Sequence, residues 1–316
     1  MDRNVDPYLG SSSPSAEEKI EQPPTNTKVQ NVAEVSIDDL PDGVIASILE
    51  SVAASARVPA DFLAATMTSK RFTETGRSRS VLKKVSACCF DVSAKKWSDG
   101  PKTFLQTCAE AGNLDAAYIL GMITFYCVKL RADGVAQISL AATGGHKDAI
   151  YAMAVIMFNG SGAGEESRDI HGATHLCAHA ASLGHVIALR ELGFCIHDGY
   201  GVERDTQEGR RLVALARARE MAEALDHNGS LLGPTEPGKG GQPTIANKFM
   251  VEWFSAGDET QIESGNGADV LHMCSNSLCG RQETRIREFR QCSSCAMVQY
   301  CSRACQARHW SQHAAS

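Results

Sequence analysis

The sequence predicts a mainly α protein: a cluster of short helices, an α-solenoid of paired helices, and a small cysteine-rich module at the C-terminal end. Three observations carry this reading. Apolar residues recur at helical spacing between 40 and 86. A frame of small residues returns at offsets of 33 and 39 residues, which marks a repeat. Seven potential metal ligands then fall within forty residues: Cys274, Cys279, Cys292, Cys295, Cys301, Cys305 and His313.

A chain of 316 residues with 43% hydrophobic and 22% charged residues exceeds a single small core, so a modular protein is expected. The formal charge of −6 is spread without a long basic run, which argues against a surface built to grip nucleic acid. The N-terminus is acidic and polar, without the apolar core of a signal peptide, and no apolar run is long enough to span a bilayer. The expected location is the nucleus or cytosol. In that reducing compartment, twelve cysteines clustered toward one end point to metal rather than disulfides.

Residues 1–34 are rich in Ser, Pro, Glu, Asn and Gln and are expected to be disordered. Next, Pro41 suits the first turn of a helix, and Val44, Ile45, Ile48, Leu49 and Val52 follow at helical spacing. Phe62, Leu63, Ala65 and Met67 lead into the basic "SKRF", and a third helix carries Val81, Leu82 and Val85. This stretch, 35–86, resembles the F-box, with Phe72 where the family has a Trp. The resemblance implies that Leu40, Pro41, Ile45, Ile48, Leu49 and Phe62 hold a Skp-type adaptor.

Between 100 and 222, "GNLDAAYILG", "GHKDAIYAMA" and "GHVIALRELG" align from Gly112, Gly145 and Gly184, each followed by a second helical stretch. Small residues at these spacings let paired helices approach closely, and each pair buries its remaining apolar face on the next. These features resemble Sel-like repeats, relatives of the tetratricopeptide repeat, most clearly in the third frame. Such arrays bind proteins or peptides on a concave face. Residues 223–270 read as a linker, from the Gly- and Pro-rich "DHNGSLLGPTEPGKGGQPT". Within it, 246–254 forms a short amphipathic helix with Phe249, Met250, Trp253 and Phe254 on one side. That helix is expected to dock the C-terminal module on the repeats or to cover its own apolar face.

The C-terminal spacing is C-x4-C-x12-C-x2-C-x5-C-x3-C-x7-H. Closely spaced thiolates supply two corners of a zinc tetrahedron from one tight turn, and in a small polar segment the metal supplies folding energy. Residues 274–316 resemble the MYND finger. The resemblance implies two interleaved zinc sites, Cys274, Cys279, Cys301 and Cys305 at one, and Cys292, Cys295 and His313 at the other. The family's last ligand would fall at 317, one position past the sequence, so the second site lacks its fourth ligand. Three readings stay open: a truncated product, substitution by His309, or a corner filled by the Ser316 carboxylate or water. A three-ligand zinc with water can be catalytic, but this segment offers neither a general base nor a substrate pocket.

The finger's net charge, with two zinc ions and six thiolates, is near +2, weak for phosphate binding. The resemblance implies proline-rich peptides or protein surfaces as its ligands, with Trp310 and Tyr300 as either contact or core residues. His171, His175 and His179 have ligand spacing but lie opposite the apolar stripe of their helix, which reads as a solvated face. Cys88, Cys89, Cys108, Cys127, Cys177 and Cys195 read as small buried apolar residues.

The order F-box, Sel-like repeats, MYND finger resembles the plant F-box proteins with a C-terminal MYND finger. It implies a non-catalytic substrate receptor of an SCF-type cullin–RING ubiquitin ligase, with a Skp-type adaptor, a cullin and a protein target as partners. The alternative is a MYND scaffold or transcriptional co-regulator acting without a ligase. An enzyme reading from MYND-bearing methyltransferases lacks their Asn-His-Ser-Cys type signature and any Gly-rich cofactor loop.

Overall fold

The computed structural model describes residues 37–229, 242–256 and 270–314. The expected disordered segment 1–34, and parts 230–241 and 257–269 of the expected linker, lie outside the described residues. Met1–Leu40 forms one unit, described only at the turn Ile37–Asp39, where the Leu40 N–H donates to the Ile37 carbonyl at 3.3 Å. Pro41–Ser316 forms the other.

The second unit opens with α1 (Asp42–Ser55), α2 (Pro59–Thr66), α3 (Lys70–Gly76) and α4 (Arg79–Leu82). Pro41 is the residue before α1, where its missing N–H costs nothing. Spacing of four puts Ile45, Leu49 and Ala53 of α1 on one buried stripe, facing a core that includes Phe62, Phe72, Val81 and Leu82. Each such apolar side chain contributes roughly 1.5–3 kcal/mol by leaving water. Asp61 starts α2 by accepting from the Arg57 and Val58 N–H groups at 2.9 and 3.2 Å, and Ser69 starts α3 by accepting from Phe72 N–H at 3.2 Å. Ile45, Leu49 and Phe62, expected from sequence to touch an adaptor, are instead core residues. Helical spacing made α1 visible but not which of its faces stays outside. Pro41, Val44 and Ile48 are the exposed ones.

Short turns at Ala87–Phe90 and Ala94–Lys96 lead to α5 (Asp99–Glu110), and three helical pairs follow. They are α6 (Leu114–Met122) with α7 (Arg131–Thr143), α8 (Lys147–Asn159) with α9 (Ile170–Ser182), and α10 (Val186–Asp198) with α11 (Thr206–Gly229). Within pairs the approach is as close as the small residues foretell: a Cβ on Gly134 would fall 2.6 Å from the Phe125 backbone N, and one on Gly193 would fall 3.0 Å from Val213 N. Helix α11 runs to Gly229, past the expected end at 222.

The second residue of each frame caps the first helix of its pair. Asn113, His146 and His185 accept from the N–H groups of Ala116, Ala149 and Ala188 at 3.0, 3.1 and 2.9 Å. Because Nδ1 of each His is the acceptor, Nε2 carries the proton and meets an aspartate of the preceding frame: His146 meets Asp115 at 3.0 Å and His185 meets Asp148 at 3.1 Å. Each cap is thus also a strut between repeats. Asn113 plays the same part toward α4 and the turn after it, donating to the Leu82 and Val85 carbonyls at 3.2 and 2.7 Å. The first frame is blurred in sequence because its pair turns differently. It leaves α6 through a π-helical turn, Ile123–Cys127, with Lys129 at φ 66°, whereas the others turn at Gly160 (φ 60°) and Gly199 (φ 73°).

The amphipathic segment forms α12 (Ile245–Ala256). Phe249 meets Trp97 edge-on at 5.1 Å, Glu252 accepts from Ala94 N–H at 3.0 Å, and Lys248 pairs with Asp91 at 2.9 Å. It therefore covers the turns between α4 and the helical pairs. The finger consists of loops, the antiparallel pair β1 (Arg290–Gln291) and β2 (Gln299–Tyr300), and α13 (Arg303–His313). No helix among the described residues is long and apolar enough to cross a membrane.

Candidate metal centre and the face it docks on

Four elements bring the first ligand group together. The Cys274 N–H donates to the Arg281 carbonyl and the Cys279 N–H to Asn276, each at 2.8 Å, which folds the first pair into a tight turn. Cys301 directly follows β2, and Cys305 lies in the first turn of α13, where Ser302 Oγ accepts its N–H at 3.1 Å. The sulfurs of Cys274, Cys279, Cys301 and Cys305 lie within 4.8 Å of one another, and all four residues are buried. The second group gathers Cys292, Cys295 and His313 within the same limit. Cys295 and His313 are half-buried there.

Both groups fit zinc. A tetrahedral site with Zn–S bonds of about 2.3 Å has S···S edges of about 3.8 Å; Cys279–Cys301 and Cys301–Cys305 stand at 3.5 and 3.6 Å. In the second group, Cys295 Sγ is 3.3 Å from His313 Nε2, close to the roughly 3.6 Å edge of a sulfur–nitrogen pair. Arg281 adds an independent argument. Its side chain is 4% exposed, Nη1 donates to Cys279 Sγ at 3.4 Å, and Nε has no hydrogen-bond partner among the described residues. Against neutral thiols this guanidinium would be a buried, poorly paired charge. Beside four thiolates and a divalent ion, whose sum is −2, it is neutralised. Thiol hydrogen bonds from Cys274, Cys301 and Cys305 hold the Cys279 thiol well below its ordinary range despite burial. The backbone N–H groups of Ser294 and Cys295 pull Cys292 down to about 6, and Met297 N–H donates to Cys295 Sγ at 3.3 Å. When bound, zinc would cross-link these loops.

His309 stands outside both groups. Its Nδ1 is hydrogen-bonded to the Tyr300 hydroxyl at 2.9 Å, and Tyr300 itself is fully buried as finger core. No fourth His, Cys, Asp or Glu among the described residues joins Cys292, Cys295 and His313. Ser316 lies outside the described residues. His171, His175 and His179 are all exposed along α9, and of the scattered cysteines all but half-buried Cys88 are buried; desolvation pushes Cys108, Cys127 and Cys195 up to about 12.

The finger is fastened to the first helices of the pairs, and its sulfurs share a buried cluster with Tyr151, Val155, Cys177 and Ala188. Glu191 of α10 is 4% exposed and accepts from the N–H groups of Arg303 and Ala304 at 3.3 and 2.7 Å, so a repeat carboxylate sits on the N-terminus of α13. Burial raises its pKa, opposed by those N–H groups and Arg303. Arg303 reaches the Phe194 carbonyl at 3.1 Å and Asp198 at 2.8 Å. Farther along, Asn159 donates to the Cys301 carbonyl at 3.0 Å, Arg285 donates to the Asn159 and Gly160 carbonyls at 2.6 and 3.0 Å, and Ser161 bonds Glu288.

Sequence reasoning singled out none of these docking residues. One signal was available for Glu191: it fills the frame position held by Ile119 and Ala152, both buried, and a charge there must have a partner. Arg281 had no such signal, since nothing in the spacing separates it from the finger's other arginines.

Residues 90–197 match the family described as plant tetratrico peptide repeats, and residues 273–316 match the MYND finger family. Two Arabidopsis thaliana proteins, each named an F-box protein, are 44% and 40% identical over 290 and 301 residues. The alignments cover 89% and 87% of this chain and 84% and 78% of those proteins. Among solved structures the chain is similar to a Sel1 repeat protein from Oxalobacter formigenes at 22% identity and a TM-score of 0.34, over 37% of this chain and 88% of that one.

Proposed function

The chain belongs to the family of plant F-box proteins with helical repeats and a MYND finger, and from that premise we propose that it is the substrate receptor of an SCF-type ubiquitin ligase. As a zinc-binding protein-interaction adaptor it needs one face for the ligase and one for the target. The observation that carries the proposal is on the F-box helices. Val44 and Ile48 are 43% and 37% exposed beside exposed Pro41, on a helix whose other face is fully buried. Leu63 on α2 and Met67 just after it are also exposed, at 48% and 77%. An apolar strip on so short a helical cluster suits a Skp-type adaptor, with Ile45, Leu49 and Phe62 holding its shape. The protein then performs no bond chemistry; it raises the local concentration of a target near a charged ubiquitin, with the cullin as scaffold.

Target recruitment falls to the finger's outer side, because the finger itself lies over the first-helix face of the repeats. Met297 is 83% and Trp310 45% exposed there, apolar contacts suited to a proline-rich segment. Two zinc ions hold this module, one in each ligand group. The same outer side would serve a scaffold or co-regulator working without a ligase.

The test is co-purification of the zinc-loaded chain with a Skp-type adaptor and cullin. Val44→Asp with Ile48→Asp should reduce adaptor capture at least tenfold while leaving the thermal melt of the helices in place. Undiminished capture, or an adaptor that never co-purifies with the wild type, removes the ligase reading and leaves the scaffold.

A further inference from the structure

Between α2, the turns at 87–97, α5, α6 and α12 lies a partly open cavity of about 380 Å³. That volume falls in the range of small-molecule sites. Its wall is almost entirely apolar, with Leu63, Phe90, Trp97, Phe104, Ile119 and Phe249 as its largest contributors. Phe104 meets Phe90 at 5.9 Å and Trp97 meets Phe249 edge-on at 5.1 Å, so two packed aromatic pairs contribute to the lining.

The polar groups nearby are already engaged. Asp91, between wall residues Phe90 and Val92, pairs with Lys248 at 2.9 Å, and Glu252 accepts from Ala94 N–H at 3.0 Å. The Cys89 thiol in the wall donates to the Val58 carbonyl at 3.7 Å, and burial pushes it up to about 11, which leaves it protonated and unreactive at neutral pH. An anionic ligand would meet no cation here. A peptide would bury N–H and C=O groups without partners, and a helix, about 10 Å across, is too wide.

We propose that this cavity binds a neutral, largely hydrocarbon small molecule carrying a ring, seated among Phe90, Trp97, Phe104 and Phe249. The site joins the F-box helices to the first repeat, so occupancy ties the two together. It stands on the cavity alone and holds whether or not the neighbouring helices bind an adaptor.

Titration of the zinc-loaded full chain with the neutral fluorophore N-phenyl-1-naphthylamine tests it. Saturable one-to-one binding is expected, with Kd of about 10 μM or tighter, together with a probe-dependent rise in melting temperature. Biphenyl should displace the probe and ionised laurate should not. Gly100 forms part of the wall, and a Cβ there meets nothing within 4 Å. Gly100→Leu should therefore weaken probe binding at least tenfold with an unchanged or higher melting temperature. Ile119→Phe, which reduces the volume from another helix, should weaken it in the same way. Absence of saturable binding, equal affinity in both filled variants, or equal displacement by laurate would overturn the proposal.

Discussion

The two ligand groups of the finger share a fold of 45 described residues yet occupy opposite environments. Cys274, Cys279, Cys301 and Cys305 are buried where finger and repeats meet, beside Arg281 and next to the helix that Glu191 caps. Cys292, Cys295 and His313 lie outward, with two of the three half-buried. The difference teaches that the same ligand chemistry sits in two settings: inside, at the buried interface between finger and repeats; outside, at the finger's own surface.

Breaking the inner group should have the largest effect. Cys279→Ser with Cys301→Ser should release its ion, unfold the finger and uncover the first-helix face of the repeats, because structural zinc contributes on the order of 10 kcal/mol to a small finger. Zinc content, with limited proteolysis across 270–314, reads this out; a finger that stays protected with no bound ion would refute the coupling. Next comes Glu191→Ala, which leaves the Arg303 and Ala304 N–H groups at the start of α13 without their buried acceptor. A cost of about 3 kcal/mol, or a drop of about 8 °C in the melting temperature, is expected by calorimetry.

Arg281→Leu sharpens the comparison further, since it removes charge from the inner group alone. Competition with a chromophoric chelator should show its zinc affinity falling about 10- to 100-fold, with the outer group unmoved. The smallest effect on the fold is expected at the outer group itself. Cys292→Ser should cost the ion held there while the helical melt shifts by less than about 2 °C. In the wild type the same chelator should take zinc in two phases, the outer ion first. A single phase would erase the distinction between the groups.

How much of this was legible differs along the chain. The helical pairs could be read because small residues and caps must recur wherever helices cross at the same distance, and Gly112, Gly145 and Gly184 mark that recurrence. The ligand pairs could be read because a tetrahedral ion demands short, fixed spacings. Arg281 and the docking of Arg285 on the Asn159 and Gly160 carbonyls could not, because each depends on a neighbour more than a hundred residues away or on burial that spacing does not encode, and the frame showed only that Glu191 needs a partner, not which one. The adaptor residues fell between these cases. Periodicity placed Ile45, Ile48 and Leu49 on one helix, while only packing showed that Ile48 faces out and the other two face in.

The sequence by itself determined local matters: where helices start, where small residues let them cross, and which seven side chains can hold zinc. These follow from covalent spacing and nearest-neighbour sterics. Only the tertiary structure decided that the finger lies on the repeats instead of hanging from a linker, and that its inner metal group is buried with a compensating arginine. It alone decided, too, that an apolar cavity remains between α2 and the first repeat. Those outcomes depend on which surfaces lose water together, and that sum is settled only when distant segments meet.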